Sequence, residues 1–374
     1  MLSGISYAYY FETHNYLFRV ISFINALLFF VFLMFYTLRS LNQKTRNLDR
    51  PLMLKWYIVV TFIIFLMSIK FTIDDLITLF FHPLSFGAFF IGVVTLLVNK
   101  TSLQFIIKMS RSVNNLIPII TIVDLLLFHY PILLISCQSF LLFEYCFTTR
   151  KRKFFLLILM LLSLPFFLIY DYRSGVLLTF AFFLMLFSIY FFKIFRSKFI
   201  RAIFLVVSVI LVYYVTFNFS EVFQFVTSVL TDNVINSTDT RSFLFLEFFN
   251  DFSSTEYLFG RGYLGTYYSS YFDIWEGDSA NRFIVEVGFL QLLFKGGIFL
   301  LGITILIFIK SIYNGLFKSN PENVSFLLSL WLIVEFAMFS VQNIPSFSPH
   351  FFIIWILIGI LFQQKGKGLN KILQ

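Results

Sequence analysis

The sequence predicts an all-α polytopic integral membrane protein. It reads as one domain over 1–374, with about eleven transmembrane helices (10–12) and one large extracytoplasmic loop over 220–282 that contains short helices. Three observations predict this class. Of 374 residues, 59% are hydrophobic and 13% are charged, with a mean hydropathy of +0.88; soluble domains carry about 25% charged residues. The apolar segments run to about 17–25 residues, which suits helices rather than barrel strands. The basic residues gather in alternate short loops, on one side of the membrane, as a topology signal requires. The 57 Phe read as bulk for helices in lipid.

The elements follow in order. A first span is expected at Leu17–Leu38, and the basic loop Arg39–Lys55 after it lies inside, which puts the N-terminus outside. Trp56–Ile73 leads out to Asp74-Asp75. Leu76–Val98 returns to an inner loop with Lys100, Lys108 and Arg111. Leu116–Phe147 exceeds one ordinary span and reads as a helical hairpin turning at His129-Tyr130-Pro131. The run Arg150-Lys151-Arg152-Lys153 is inside. Phe154–Tyr170 then surfaces at Asp171–Gly175, and Val176–Phe195 re-enters at Lys193, Arg196, Lys198 and Arg201. Ile203–Phe219 delivers the chain outside into the long loop.

After the loop, Phe283–Ile309 is apolar throughout but interrupted at Gly296-Gly297. One straight helix of that length would span roughly 40 Å, against a hydrocarbon core of roughly 30 Å. An outer helical arm, Phe283–Phe294, followed by a ninth span resolves the excess. Lys310 and Lys318 lie inside. Val324–Val341 leads out to Gln342–Pro349, and the short span His350–Phe362 ends in a cytoplasmic tail with Lys365, Lys367 and Lys371. No cleaved signal peptide is expected, because the N-terminus lacks a basic region and a small-residue cleavage site.

Seven of the 28 Lys and Arg fall on the outer half, and the other 21 sit in inner loops. The seven are Arg19, Lys70, Arg173, Arg241, Arg261, Arg282 and Lys295. This distribution makes a topology signal of the +9 net charge and argues against nucleic acid as a partner. Outer cations work against insertion, so an anionic ligand at the outer surface would give them a purpose. Arg reads phosphate well, because its planar fork donates paired charge-assisted hydrogen bonds. Each also has a plain structural reading. Arg173 in YDYRSG could pair with Asp171. Arg241 follows the cap candidates Thr238, Asp239 and Thr240 of a helix whose apolar face is Phe243, Leu246 and Phe249. Arg261 in FGRGYLG could sit in an ordinary turn, and Arg282 could pair with Glu286 one helical turn on. The loop from Ser220 to Asn281 holds nine acids against two Arg, so an anion there needs arginines from other loops as well. Its aromatics, among them Tyr263, suit sugar rings and suit a membrane interface equally.

Asp124, Glu144 and Glu335 fall within spans, where an acid is a functional candidate by default. A buried partner such as Lys or Tyr is the plainer reading. All four His map to the outer half without metal-ligand spacing, so no metal site is expected. Cys137 and Cys146 read as small apolar fillers. There is no P-loop, GxSxG, HExxH or dinucleotide fingerprint, and no nucleotide cofactor is expected.

RSG at Arg173–Gly175, DTRSFLFLEFF at 239–249, LFGRGYLG at 258–265 and EVGFLQLLFKGGI at 286–298 together resemble one family. This is the Wzy-type O-antigen and capsular polysaccharide polymerases, within the wider polymerase–ligase superfamily. The resemblance implies a GT-C-like fold in the bacterial plasma membrane, with the N-terminus and large loop outside and the C-terminus cytoplasmic. It implies a metal- and nucleotide-independent glycosyltransferase. The growing glycan would pass from undecaprenyl diphosphate to the non-reducing end of a new lipid-linked unit. Arg173, Arg241, Arg261 and Arg282 would read the diphosphate, Tyr263 the glycan, and Glu286 or Asp239 would act as base, with Asp278 a further alternative. A flippase and a chain-length regulator are the implied protein partners. O-antigen ligases carry a His followed eleven residues later by a Gly at the corresponding place. Here Glu286 precedes Gly297, which favours a polymerase over a ligase. A flippase should show internal repeats and cations within its spans, with no large loop, and this chain shows the reverse; a membrane scaffold without catalysis is a third alternative.

Overall fold

The structure, a computed structural model, describes residues 31, 52–68, 79, 86–92, 98, 100–123, 132–169, 175–176, 179, 182–183, 195, 197–217, 247–269, 281–285, 287–319, 324–340 and 348–362. These residues form an all-α bundle with one small antiparallel strand pair. The helices are α1 (Leu52–Ser68), α2 (Phe86–Phe90), α3 (Lys100–Val123), α4 (Ile132–Phe147), α5 (Arg150–Ile169), α6 (Lys198–Phe217) and α7 (Ser254–Phe259). Strands β1 (Tyr267–Tyr268) and β2 (Asn281–Arg282) follow, then α8 (Gly288–Lys318), α9 (Val324–Met338) and α10 (Pro349–Phe362). Expectations for Leu17–Leu38, for most of Leu76–Val98 and Val176–Phe195, for the turn at His129–Pro131 and for the C-terminal tail lie outside the described residues.

The bundle is centred on α10. From Phe351 to Leu361 every residue of this helix is buried, as an apolar helix without a polar face must be. It packs against α4, α8 and α9, and Trp355 meets Tyr57 of α1 with ring centroids 4.5 Å apart. The outer helices each keep an apolar stripe exposed. On α1 it comprises Leu52, Trp56, Val59, Ile63 and Leu66, and on α6 Phe199, Ile203, Val206 and Ile210. On α8, Ile298, Leu306 and Ile309 are exposed. On α1 and α6 these positions recur every three or four residues, so each of these two helices turns one apolar face inward and another outward. Among the described residues α8 is long and apolar enough to cross a membrane, over Gly288–Phe317; α1, α9 and 350–362 are shorter apolar helices.

Several boundaries differ from the sequence reading. Residues 100–115 were expected as an inner loop, but they form the first part of α3. The buried positions Leu103, Ile106, Ser110, Asn114 and Ile117 give the reason, since their spacing makes one continuous inward face. The polar residues between them stay on the outside of that helix. Helix α1 begins at Leu52, four residues before the expected start at Trp56. Cys137 and Cys146 are both buried on α4, in keeping with their reading as fillers.

Glu144 is fully buried and acquires partners other than the expected Lys or Tyr. Arg152 Nε donates to Glu144 Oε1 at 2.9 Å, Asn114 Nδ2 to Oε2 at 2.8 Å, and Arg111 Nε lies 3.4 Å from Oε1. The acid therefore ties α3, α4 and the first turn of α5 together, and the buried charge is compensated. At the C-terminal end of α8, Arg201 of α6 donates to the carbonyls of Leu316 and Ser319 and of Phe195, and stacks on Phe326 at 5.6 Å. Carbonyls that end a helix without intrahelical partners are met here by one guanidinium.

Candidate functional site

The site is built where the long loop meets α8. The helix runs from Gly288 to Lys318 but is kinked at Gly296 (φ −141°, ψ 15°) and Gly297 (φ 62°, ψ −164°). Gly297 is left-handed, a conformation that costs residues with a Cβ. A kink strips helix carbonyls of their ordinary donors. One is recovered by the loop, because the Arg261 N–H donates to the Phe294 carbonyl at 2.8 Å. The contact is close on both sides. A Cβ on Gly297 would enter the backbone of Leu258 and Phe259, and one on Gly260 would come within 2.6 Å of the Gly296 nitrogen. The FGRGYLG turn and the KGGI break therefore interlock, backbone against backbone.

The same turn is held from α1. Tyr263 N–H donates to Ser68 Oγ at 2.7 Å, and Tyr263 Oη–H to the Thr61 carbonyl at 3.1 Å. Ser68 Oγ in turn donates to Ile64 O at 2.6 Å. Tyr263 is fully buried and stacks near Phe89 at 4.9 Å. Its expected role as a glycan-facing aromatic is thus corrected, because ring and hydroxyl are both consumed inside the bundle.

Arg261 is likewise an internal clasp. Nε donates to Glu256 Oε1 at 2.8 Å, Nη1 to Asp251 Oδ2 at 2.6 Å and to Thr266 O at 2.8 Å, and Nη2 to Glu256 Oε2 at 3.2 Å and to Asp251 O. The guanidinium also lies 5.0 Å from the Phe252 ring. With every N–H donor engaged by the protein's own acceptors, the assignment of Arg261 to a diphosphate is corrected. Burial would raise the Glu256 carboxyl, but hydrogen bonds from Arg261 and from Ser253 outweigh it and hold the group below its ordinary range. Burial alone would lower the Arg261 guanidinium; Glu256 and Asp251 reverse this and raise it.

The loop carries its own small core, in which Phe248, Phe252, Tyr267 and Phe294 pack together with Val285 and Leu290. Within it, Phe248 and Phe252 lie 4.3 Å apart, and Tyr267 meets Phe294 edge-on at 5.6 Å. Phe249, one of the residues expected to face a membrane surface, is exposed.

Arg282 does not begin a helix. It lies on β2, opposite Tyr267 of β1. The expected helical Arg282–Glu286 pair is therefore corrected. Phe283, Ile284 and Val285 are aromatic or β-branched, which favours extended backbone, and α8 starts only at Gly288 after an extended Val287. The Gln291 side chain compensates for the missing first turn by accepting the Val285 N–H at 2.8 Å. Lys295, another cation expected on the outer half, is fully buried: Nζ donates to Gly265 O at 2.9 Å and lies 3.5 Å from the Phe283 ring centroid. It is a strut between helix and loop.

A second polar group lies where α9 and α10 meet. The buried Glu335 carboxylate accepts the Trp331 indole N–H at Oε1 (2.7 Å), and Oε2 is 3.1 Å from His350 Nε2. Helix α8 begins beside it, since the Phe289 N–H donates to Phe339 O at 3.2 Å and the Phe289 ring packs on Phe336 and Phe339. Glu335 was visible as an acid within a span, but His350 was not marked as its partner. Fifteen residues and a connection separate them, so no periodicity relates them.

Arg173, Arg241, Asp239, Asp278 and Glu286 lie outside the described residues. Of the remaining site candidates, the structure joins Arg261 and Tyr263 in one scaffold and sets Arg282 on the strand pair beside it. Among the described residues no group of His, Cys, Asp and Glu is disposed to hold a metal ion. No family model, curated protein or solved structure matches the chain.

Proposed function

We propose that this chain is a multi-spanning plasma-membrane glycosyltransferase that polymerises lipid-linked oligosaccharide repeat units at the outer face. The outward apolar stripes on α1, α6 and α8 favour lipid around the bundle. Water against such faces would be a standing aggregation hazard, whereas lipid covers them at no loss. About eleven spans, with the loop outside, complete the topology.

The observation that carries the reading is the clasp between FGRGYLG and KGGI. It fixes a polar loop directly over the kink of the longest apolar helix, which is where a site for a membrane-bound substrate must be. In this reading Arg173, Arg241 and Arg282 neutralise the diphosphate as charge develops on it. Arg261, Tyr263 and Lys295 hold the loop in place. Glu286 and Asp239 are the carboxylates available from the loop segment.

Deletion of the protein in its host tests the reading. Surface glycan should shrink to a single repeat unit. An unchanged length distribution would sink the proposal, and full-length polymer stalled on the carrier lipid would indicate a ligase instead. Arg173→Ala and Arg241→Ala should each abolish the ladder while the protein stays inserted. Normal ladders from both would remove the diphosphate clamp.

A further inference from the structure

We infer that His350, oriented by Glu335, is the base that takes the proton from the acceptor hydroxyl. The inference rests on the glycosyltransferase reading and adds a residue pair that the sequence motifs do not reach.

The argument begins with the carboxylate. An ionised carboxylate only accepts hydrogen bonds. Glu335 accepts one from Trp331 at Oε1 and lies against His350 Nε2 at Oε2, so the imidazole presents Nε2–H to it. The neutral ring then carries its lone pair on Nδ1. Among the described residues the His350 ring makes no other hydrogen bond. A buried carboxylate that fixes the tautomer of an imidazole, leaving the far nitrogen available, is the arrangement by which acid–histidine pairs accept protons.

Access differs between the partners in the required sense. The Glu335 side chain is 0% exposed and that of His350 is 19%. The carboxylate is sealed while part of the His350 side chain remains reachable. His350 sits in the first turn of α10, whose start is fixed by Phe351 N–H donating to Ser348 Oγ at 3.3 Å. Trp331 and Phe336 lie on the same helix as Glu335, and the Phe336 ring packs on Phe289 at the start of α8. The reachable part is thus placed at the junction of α8, α9 and α10, beside the segment that leaves the loop.

The step balances. The acceptor O–H gives its proton to His350 Nδ1, and its oxygen bonds to the anomeric carbon of the donor sugar. The bond from that carbon to the diphosphate oxygen breaks, and the lipid diphosphate leaves with the electron pair. The imidazolium then releases its proton to water. Glu335 is a positioning residue that also stabilises the imidazolium.

The test uses the purified full-length chain in liposomes, with the lipid-linked repeat unit as the only substrate and linkages counted on a gel ladder. His350→Ala should lower turnover by about 10²–10⁴-fold with KM changed by little, and added imidazole should restore part of the rate. Glu335→Gln should lower turnover with KM similarly unmoved, while Glu335→Asp recovers part of it. His350→Gln keeps a hydrogen-bonding group of similar reach, and its thermal stability is measured alongside as a control for folding. A folded His350→Gln protein that polymerises at the wild-type rate overturns the inference and leaves the proposed function standing. If the wild-type chain forms no linkages, both fall.

Discussion

Two charged assemblies flank the start of α8, and they are built on opposite plans. At Arg261 every donor of the guanidinium is used: Asp251, Glu256 and two backbone carbonyls absorb it completely. At Glu335 the carboxylate is sealed between Trp331 and His350, but among the described residues the second ring nitrogen has no further partner, and the His350 side chain is partly exposed. The difference teaches how to sort the outer charges. A cation that has exhausted its hydrogen bonds within the protein is holding a shape. A pair with capacity left over is the better place to look for chemistry. The sequence marked Arg261 through its flanking glycines and passed over His350, whose neighbours are apolar.

This comparison can be broken at the clasp. Gly297→Ala should have the largest effect, because it forces a Cβ at φ 62° into the backbone of Leu258. A loss of roughly 2–4 kcal/mol is expected, read as lowered thermal stability in detergent together with new proteolysis within 251–266. A wild-type melting profile would mean that loop and kink are not interlocked. Arg261→Ala comes next. It strands two carboxylates and two carbonyls, all partly open to water, so about 1–3 kcal/mol is expected, seen as faster hydrogen exchange over 251–266. Arg261→Lys should fail to restore protection, because an ammonium cannot reproduce the fork. If the lysine variant behaves as wild type, saturation of the guanidinium is not what holds the loop.

Ser68→Ala is a smaller and sharper probe. It leaves the Tyr263 N–H buried without its acceptor and should cost about 1–2 kcal/mol, with exchange at Tyr263 rising more than at Tyr267. The smallest effect is expected from pH. Glu256 is held below its ordinary range, so its contribution is fully present above the unfolded value of about 4.3. That contribution is lost as pH falls through the lower folded value. Protection of 253–261 should therefore stay flat at neutral pH and decline only in acid, by under about 1 kcal/mol. Glu256→Gln should remove that acid-dependent step. A decline beginning above pH 5 would point to another group.

Much of the bundle was legible because a helix packed on all sides has to be apolar for nearly its whole length, and α9 and α10 follow the expected ranges closely. The start of α3 was not. SRSVNN looks like a loop by composition, and two of the five positions in the inward row Leu103, Ile106, Ser110, Asn114 and Ile117 are polar. Spacing, rather than polarity, was the signal there. The break at Gly296-Gly297 was visible, as was the glycine-rich turn around Arg261, but not that one closes on the other. Their contact joins positions more than thirty residues apart through backbone atoms that leave no side-chain trace. Arg261's partners had a local clue. Ser253 and Glu256 stand at the spacing of a helix start, and Glu256 does reach back to the Ser253 N–H at 2.8 Å. Arg282 was misplaced because the apolar run that follows it can pass as helix, whereas its aromatic and β-branched residues Phe283, Ile284 and Val285 suit extended backbone.

The kink has one more consequence, for depth. Below it, Ile298 to Lys318 is about 31 Å long at 1.5 Å per residue, close to the roughly 30 Å of bilayer hydrocarbon. In the proposed topology, Lys318 would lie at the inner boundary and Gly297 level with the outer headgroups, together with the turn clasped to it. The loop would then act as an eave at the waterline instead of a lid above it. Under the proposed function, a carrier lipid would slide sideways under such an eave, with its tail still dissolved among its neighbours and only its diphosphate drawn in.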